Sequence, residues 1–205
     1  MSASGFLPVV ESFHSLQGEG HHSGRSAFFI RLAGCAVGCP WCDTKHSWPE
    51  SNHEQQSIDA LADMAQQARD AGAAFTVITG GEPLQHQLTP LTAALHERTK
   101  RPVHLETSGV NPLSGDIDWV TLSPKRHRPP RPDLLAACNE LKVVVFEPED
   151  LDFAEAMATK VNESSELLLQ PGWDSESGQH LAVDHVRQNQ RWRLSLQTHK
   201  WLGVR

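Results

Sequence analysis

The sequence is poor in the features that mark secreted, membrane-spanning and nucleic-acid-binding proteins. It has four cysteines in 205 residues, three of them within eight positions, which argues against a disulfide framework and favours metal binding in a reducing compartment. No apolar run approaches a membrane span, and residues 1–5 lack the start of a signal peptide. Acidic residues outnumber basic ones by 25 to 18, a formal net charge of −7, which disfavours binding nucleic acid through its phosphates. These absences predict a cytoplasmic protein without a membrane or nucleic-acid partner.

The length and composition are those of one globular domain. A chain of 205 residues can bury a sizeable core but is short for two domains. Hydrophobic residues make up 39% and charged residues 21% of the sequence, which is ordinary for a globular protein. We therefore expect a single domain over residues 1–205.

Short apolar runs alternate with segments of helical period along most of the chain. Strands are predicted at 27–32, 75–78, 103–106, 119–122, 141–146, 167–169 and 192–197. Helices are predicted from an N-cap at Ser57 to Gly72, from an N-cap at Thr89, and at 132–138, 148–159 and 181–190. Irregular segments are predicted at 11–24, 35–56, 123–133 and 171–178.

This alternation implies a parallel sheet with helical crossovers. A full eight-stranded barrel takes about 250 residues, and this chain offers about six or seven strands. We therefore predict an α/β fold with a partial, open TIM-like barrel, and keep a doubly wound sheet as the alternative.

Polar or glycine-rich groups follow most of the predicted strands. They are 31–35, 79–82, 106–108, 123–125, 170–171 and 197–199. Parallel α/β folds bind ligands at the carboxyl ends of their strands. We therefore expect these groups to converge on one site, although loops are commonly polar for no functional reason.

The cysteine cluster has the spacing C-x₃-C-x₂-C, formed by Cys35, Cys39 and Cys42. Three soft thiolates select zinc or an iron–sulfur cluster. A structural zinc site needs a fourth ligand, for which His46 is near in sequence. A [4Fe–4S] cluster usually has four thiolates, so three would leave one iron open to a ligand. The cluster is favoured over zinc and over buried, inert cysteines; the fourth cysteine, Cys138, is expected to pack as a small apolar residue.

The cysteine motif, with Trp41 directly before Cys42, resembles the signature of the radical S-adenosylmethionine superfamily. The segment 79–83, Thr-Gly-Gly-Glu-Pro, is similar to the GGE motif of that superfamily. The resemblance implies that Cys35, Cys39 and Cys42 hold a [4Fe–4S] cluster and that S-adenosylmethionine is a cofactor. It also implies that backbone near Gly81 meets the cofactor's amino group.

Within that superfamily the chain resembles the 7-carboxy-7-deazaguanine synthase family almost end to end. The matching segments are 15–20, 29–35, 42–44, 123–125, 139–144, 170–171 and 192–200. The resemblance implies a carbon–nitrogen lyase of queuosine and 7-deazapurine biosynthesis. It would convert 6-carboxy-5,6,7,8-tetrahydropterin to 7-carboxy-7-deazaguanine with release of ammonia.

The family motifs also imply residue roles. The residues expected to bind the pterin are Leu16, Gln17, Gly18, Arg31, Thr79 and Arg205, the last through its carboxylate. Those expected to bind S-adenosylmethionine are Trp41, Cys42, Asp43, Gly81, Ser123, Pro124, Lys125, Gln170, Pro171, Gly172 and Trp173. Thr44 is the expected Mg²⁺ ligand, and Glu106 and His199 are further candidates near the substrate.

The resemblance implies two protein partners. They are an external electron donor such as flavodoxin or ferredoxin, and a second copy of the chain in a homodimer. The rival functions are an activase of a glycyl-radical enzyme, which uses the same cofactors on a polypeptide, and a zinc-stabilised binding module without catalysis.

Overall fold

A computed structural model of the protein describes residues 5–205, and one mixed β-sheet organises them. The strands are β1 (Phe6–Leu16), β2 (Ser26–Leu32), β3 (Glu54–Ser57), β4 (Phe75–Gly80), β5 (Val103–Thr107), β6 (Trp119–Leu122), β7 (Glu140–Val145), β8 (Glu166–Pro171) and β9 (Trp192–Leu194). The α-helices are α1 (Ile58–Asp70), α2 (Thr89–Thr99), α3 (Pro132–Ala137), α4 (Pro148–Ala158), α5 (Glu176–Gln188) and α6 (Thr198–Leu202). Short 3₁₀ turns lie at Lys45–Ser47, Glu50–Asn52 and Pro83–Gln85.

Within the described residues the nine strands follow the order β3-β1-β2-β4-β5-β6-β7-β8-β9. From β2 through β4 to β9 every neighbouring pair is parallel, whereas β1 runs antiparallel to β2 and β3. The strands β3 and β9 form the two edges, so the sheet is open rather than closed on itself. This architecture confirms the partial, open TIM-like barrel.

The helices α1 to α5 share one apolar core with one face of the sheet. Alternation along β2 shows how the two faces separate: Phe28 and Ile30 pack in that core, whereas Ala27 and Phe29 belong to a smaller cluster on the opposite face. A doubly wound sheet would carry helices on both faces, so the alternative architecture was wrong. The face without this helical core lines the interior of the open barrel.

Helix α1 forms as its sequence pattern predicts. The Ser57 hydroxyl accepts a hydrogen bond from the Ala60 backbone N–H at 3.2 Å, which satisfies one free donor of the first turn. The buried side chains follow the helical period and are Ile58, Leu61, Ala62, Ala65 and Ala68. By contrast, Thr89 is the first residue of α2, and the N-cap position is occupied by Leu88 without a side-chain cap.

Long-range pairing produces strands in two segments that were predicted to be irregular. The second half of β1 pairs with β2, and the wholly polar β3 pairs with Phe6–Val9. Strand formation depends on the neighbouring strand more than on local propensity, which explains both errors.

The chain after residue 171 also differs from its prediction. Helix α5 begins at Glu176 rather than 181, because the Ser175 hydroxyl caps it through the Gly178 N–H at 3.0 Å. Strand β9 ends at Leu194 rather than 197, and the unpredicted α6 follows it.

Within residues 5–205, none of the helices combines the length and the apolar character that crossing a membrane would require.

Candidate active site

A cavity of about 760 Å³ lies at the carboxyl ends of the parallel strands. Residues from all six predicted strand-end groups line it, which confirms that these groups converge. The expected ligand-binding residues in its lining are Leu16, Gln17, Gly18, Arg31, Cys35, Cys39, Trp41, Cys42, Asp43, Thr44, Thr79, Gly81, Ser123, Lys125, Gln170, Pro171, Gly172, Trp173 and Arg205. Pro124 is buried and does not line the cavity.

The loop after β2 carries the three clustered cysteines and folds back on itself. The backbone N–H groups of Gly34 and Cys35 donate to the carbonyls of Ser47 and Trp48 at 2.8 and 3.3 Å, and the N–H of Cys42 donates to the carbonyl of Cys39 at 3.2 Å. All three cysteines line one cavity. The donor set therefore fits a thiolate-bound iron–sulfur cluster.

The electrostatics of the loop indicate what a bound group must supply. Burial raises the pKa of the Cys35 and Cys39 thiols, and the neighbouring thiols raise it further, whereas Lys125 lowers that of Cys39. Metal ligation requires deprotonated thiols, so a cationic iron core would offset this cost. His46 is exposed and lies outside the cavity lining, so the zinc site with His46 has no support.

Cys138 has no part in this arrangement. It is 2% exposed in the core between helix α3 and strand β7, and its thiol donates to the Leu135 carbonyl at 3.4 Å. Burial raises its pKa to about 11. The prediction that it packs as a small apolar residue is confirmed.

Gly81 is required by the packing of the GGE motif against the cysteine loop. A Cβ atom at this position would lie 2.3 Å from the Gly34 carbonyl oxygen and 3.0 Å from the Cys35 Cβ. The next residue, Glu82, donates its backbone N–H to the same Gly34 carbonyl at 2.8 Å. The glycine thus lets the end of β4 touch the loop that holds the first cysteine.

The Glu82 side chain holds this motif in place through hydrogen bonds, a role that the motif itself did not predict. Its carboxylate accepts hydrogen bonds from the Leu84 N–H at 3.1 Å, the Thr107 hydroxyl at 2.5 Å and both the N–H and hydroxyl of Ser108, the N–H at 2.9 Å. The residue is 2% exposed. Glu82 therefore ties the end of β4 to the end of β5.

Glu106 joins two of the expected substrate-binding residues. One carboxylate oxygen accepts from the Gln17 amide at 3.0 Å and the other from the Thr79 hydroxyl at 2.9 Å. The Gln17 amide oxygen in turn accepts the Glu19 backbone N–H at 3.1 Å. These contacts place three polar side chains from separate elements at one part of the cavity wall.

A buried ion pair between Lys142 and Glu19 lies beside this group, and the sequence analysis did not find it. Lys142 donates to Glu19 across the barrel interior, and the Gln197 amide donates to the other Glu19 oxygen at 2.8 Å. Burial alone would raise the pKa of Glu19, but the charge and hydrogen bond of Lys142 and the hydrogen bond from Gln197 lower it to about 2. The available signal was a lone lysine within the apolar strand 141–146, which requires a buried partner.

The pKa of Lys142 moves in the opposite direction. Burial alone would lower it, but Glu19, Glu106 and Glu140 together raise it above the ordinary range. Both partners of the pair are therefore charged at neutral pH.

Gly18 makes room for His199. A Cβ atom on residue 18 would lie 2.1 Å from the His199 Nδ1, and that nitrogen is buried without a hydrogen-bond partner among the described residues. The Gly18 carbonyl accepts from both the N–H and the hydroxyl of Thr198, each at 2.9 Å. Gly18 was expected to bind the pterin; in the structure its lack of a side chain also makes room for an imidazole ring.

Arg31 and Arg205 meet at one carboxylate near the mouth of the cavity. The Arg31 Nε donates to Glu11 at 2.9 Å, and the Arg205 guanidinium lies 3.5 Å from the other Glu11 oxygen. The Arg205 backbone oxygen accepts from the Ser15 hydroxyl at 2.6 Å. The last described residue is thus fixed beside the strand that carries Leu16.

The opposite part of the wall contains most of the residues expected to bind S-adenosylmethionine. The Lys125 amine donates to the Ser123 hydroxyl at 2.8 Å, and burial lowers the pKa of Lys125. The Gln170 amide oxygen accepts from the Ser195 hydroxyl at 2.9 Å. Thr44 lies with its hydroxyl 3.5 Å from the Cys42 sulfur.

Comparison with known proteins agrees with this geometry. Residues 29–125 match the model of the radical SAM superfamily. The chain is 50% identical to a 7-carboxy-7-deazaguanine synthase from Prochlorococcus marinus, covering 97% of this chain and 98% of the relative. It is 49% identical to the synthase from Synechocystis (97% and 93% covered) and 35% identical to that from Escherichia coli K12 (96% and 98% covered).

Solved structures give the same result at the level of the fold. The crystal structure of QueE from Escherichia coli superposes with a TM-score of 0.83 at 33% identity, covering 95% of each chain. Taken with the sequence relatives, this match extends over nearly the whole chain rather than over the cysteine loop alone. The chain belongs to the 7-carboxy-7-deazaguanine synthase family of the radical S-adenosylmethionine superfamily.

Proposed function

We propose that this protein is a 7-carboxy-7-deazaguanine synthase, which contracts the ring of 6-carboxy-5,6,7,8-tetrahydropterin and releases ammonia. The observation that carries the proposal is that one cavity is lined both by the three clustered cysteines and by the hydrogen-bonded group of Gln17, Thr79 and Glu106. Its volume of about 760 Å³ suits small molecules. An activase would instead need a groove for a polypeptide, and the family relationship does not favour it.

The cysteine side of the cavity is proposed to hold both cofactors. A [4Fe–4S] cluster on Cys35, Cys39 and Cys42, together with S-adenosylmethionine, supplies the radical chemistry that starts the reaction. On this chain, Trp41, Asp43, Gly81, Ser123, Lys125 and residues 170–173 are proposed to orient the S-adenosylmethionine. Pro124 is not included among these contacts, since it is buried outside the lining.

The other side is proposed to bind the pterin. The Glu106 carboxylate is suited to accept N–H groups of the heterocycle, and Gln17 and Thr79 fix its orientation. Arg31 uses its Nε on Glu11, which leaves its two terminal nitrogens for the substrate carboxylate. Leu16, Gly18 and the carboxylate of Arg205 complete this proposed subsite.

Thr44 is proposed to contribute to a Mg²⁺ site. Its hydroxyl lines the cavity next to Cys42. Because a neutral hydroxyl is a weak ligand, substrate oxygens and waters would supply the remaining coordination, as Mg²⁺ prefers.

The wider organisation is proposed as follows. The proposed single domain covers residues 1–205, of which residues 1–4 lie outside the described part of the chain. The one sheet that includes strands from Phe6 to Leu194 supports it. The protein works in the cytoplasm, receives electrons from a flavodoxin or ferredoxin, and forms a homodimer that covers exposed sheet edges.

The proposal is tested by an anaerobic assay of the reconstituted protein. The mixture contains a reductant, S-adenosylmethionine, Mg²⁺ and 6-carboxytetrahydropterin, and the products are identified by mass spectrometry. We expect 7-carboxy-7-deazaguanine from the wild type and neither cluster absorbance nor product from Cys39→Ala. Formation of 5′-deoxyadenosine without the deazaguanine would reject this substrate, and omission of Mg²⁺ tests the Thr44 site separately.

A further inference from the structure

The short helix α6 connects the two sides of the cavity. At its start, Thr198 donates twice to the Gly18 carbonyl, and the preceding Gln197 donates to Glu19 at 2.8 Å. The helix therefore rests on the loop that carries the proposed pterin contacts. Any displacement of α6 would move that loop with it.

Lys200, on the same helix, reaches the opposite side. Its ammonium donates to the Asp43 carboxylate at 2.7 Å and to the Gln197 amide oxygen at 3.1 Å, and it lies 4.7 Å from the centre of the Trp173 ring. Asp43 directly follows the cluster ligand Cys42, and Trp173 belongs to the loop after β8. One side chain thus contacts two other segments of the cavity wall and, through Gln197, the start of its own helix.

The physical properties of Lys200 suit this position. An ammonium has three donors and no acceptor, and here two oxygens and an aromatic face surround it. Its side chain is only 20% exposed, against 56% for Asp43, so solvent screens the cation less than it screens its partner. A neutral side chain of similar length would keep the packing but lose both hydrogen bonds and the cation–π attraction.

We propose that Lys200 is a positioning residue through which S-adenosylmethionine and the pterin strengthen each other's binding. This inference rests on the proposed function, because Asp43 and Trp173 are cofactor contacts only if that function holds. S-adenosylmethionine that fixes Asp43 and Trp173 also fixes Lys200, and α6 then holds the loop at Gly18 for the pterin. Coupling between two sites is reciprocal, so the pterin tightens the cofactor's binding by the same factor.

The test is an equilibrium-binding experiment on the cluster-reconstituted protein without reductant, so that no turnover occurs. The dissociation constant of S-adenosylmethionine is measured by equilibrium dialysis with and without 6-carboxytetrahydropterin. We expect the pterin to tighten binding about fivefold or more in the wild type, the lower end of typical coupling. In Lys200→Met the ratio should fall to about one, whereas Lys200→Arg, which keeps the cation, should restore most of it.

Lys160→Met is the matched control, because Lys160 is exposed on the turn after α4; it should behave as the wild type. A wild-type ratio in Lys200→Met, or complete loss in Lys200→Arg, would overturn the inference.

Hydrogen exchange of the ligand-free protein separates this inference from the proposed function. The Val204 N–H donates to the His199 carbonyl at 3.1 Å, and it should exchange faster in Lys200→Met than in the wild type or Lys160→Met. If the wild type binds S-adenosylmethionine but not the pterin, the proposed substrate is wrong, and exchange alone then decides whether Lys200 holds α6. Unchanged exchange in Lys200→Met would reject the positioning role.

Discussion

At two positions of the site, contacts within the protein require the residue type that is present, as much as any ligand does. Glu82 belongs to the GGE motif, yet its buried carboxylate accepts hydrogen bonds from Leu84, Thr107 and Ser108 of the protein itself. Gly18 belongs to the proposed pterin loop, yet the ring of His199 occupies the space that a side chain at this position would need. Both residues therefore shape the cavity before any ligand enters it.

Removing the Glu82 carboxylate should destabilise the protein strongly. Glu82→Ala leaves buried donors without an acceptor, and we expect a loss of about 2–4 kcal/mol in the free energy of unfolding. Urea unfolding of the cluster-free protein measures this loss, with the exposed Glu97→Gln as control. A loss in the free energy of unfolding no larger than that of the control would contradict this structural role of Glu82.

Adding one methyl group at Gly18 should displace His199. In Gly18→Ala the new Cβ would lie 2.1 Å from the His199 Nδ1, and relief of such overpacking typically costs about 1–3 kcal/mol. In the unreduced protein we expect weaker pterin binding, with little change in the binding of S-adenosylmethionine when it is measured without the pterin. Gly18→Ala should cost less stability when it is introduced into His199→Ala, where the ring is absent, than when it is introduced into the wild type. An equal cost in both backgrounds would show that the ring is not the obstacle.

At the scale of elements, the loop between β1 and β2 is held inside the open barrel by polar side chains of several strands. Its residues Glu19 and His21 bond to Lys142 and Glu140 of β7, and its Gly20 N–H donates to Ser195 after β9 at 2.9 Å. The loop therefore links β1 and β2 to β7 and to the end of β9, from which they are separated by other strands of the open sheet.

The Lys142–Glu19 pair should give this loop an acid-sensitive attachment. The folded pKa of Glu19 is lowered from 4.5 to about 2, so its stabilisation is complete above pH 4.5 and is lost as the pH falls towards 2. Lys142→Met leaves a buried unpaired carboxylate, with an expected cost of about 3–5 kcal/mol. Urea unfolding at pH 7 should show that the double variant with Glu19→Gln loses less than the sum of the single changes; additive losses would argue against the pair.

The amino-terminal end of the barrel is closed by aromatic rings and histidines. His104 stacks on Phe75 with ring centres 4.1 Å apart, and His22 packs against both rings and against Trp119. Burial lowers the pKa of His104 to about 3 and that of His22 to about 4, and Arg25 contributes to both shifts. The neutral rings are therefore part of the folded state.

These histidines should destabilise the protein at mildly acidic pH. Their ordinary pKa is 6.5, so the stability they provide is complete above that value and falls as the pH decreases towards 3 to 4. For the buried His104 the loss between pH 7 and pH 4 should be on the order of 3 kcal/mol. His104→Phe should flatten the pH dependence of the melting temperature over this range, whereas the exposed His180→Gln should not; an unchanged slope in His104→Phe would refute the assignment.

For the whole molecule, the sequence predicted what depends on local pattern. The three cysteines line one cavity, the apolar positions of α1 are buried, and the polar ends of the parallel strands converge, all as expected. The pairing of β3 with β1, the Lys142–Glu19 ion pair and the position of α6 depend on contacts between residues distant in sequence. No periodicity or motif encodes such contacts locally, which is why they emerged only from the folded chain.

The cavity wall also gives the protein an internal optical reporter. The sequence has six tryptophans and no tyrosine, so tryptophan dominates its ultraviolet emission. Three of them, Trp41, Trp48 and Trp173, line the cavity. An iron–sulfur cluster absorbs broadly across their emission band, so its assembly should quench the fluorescence by energy transfer, and the loading of each preparation can be followed without any added dye.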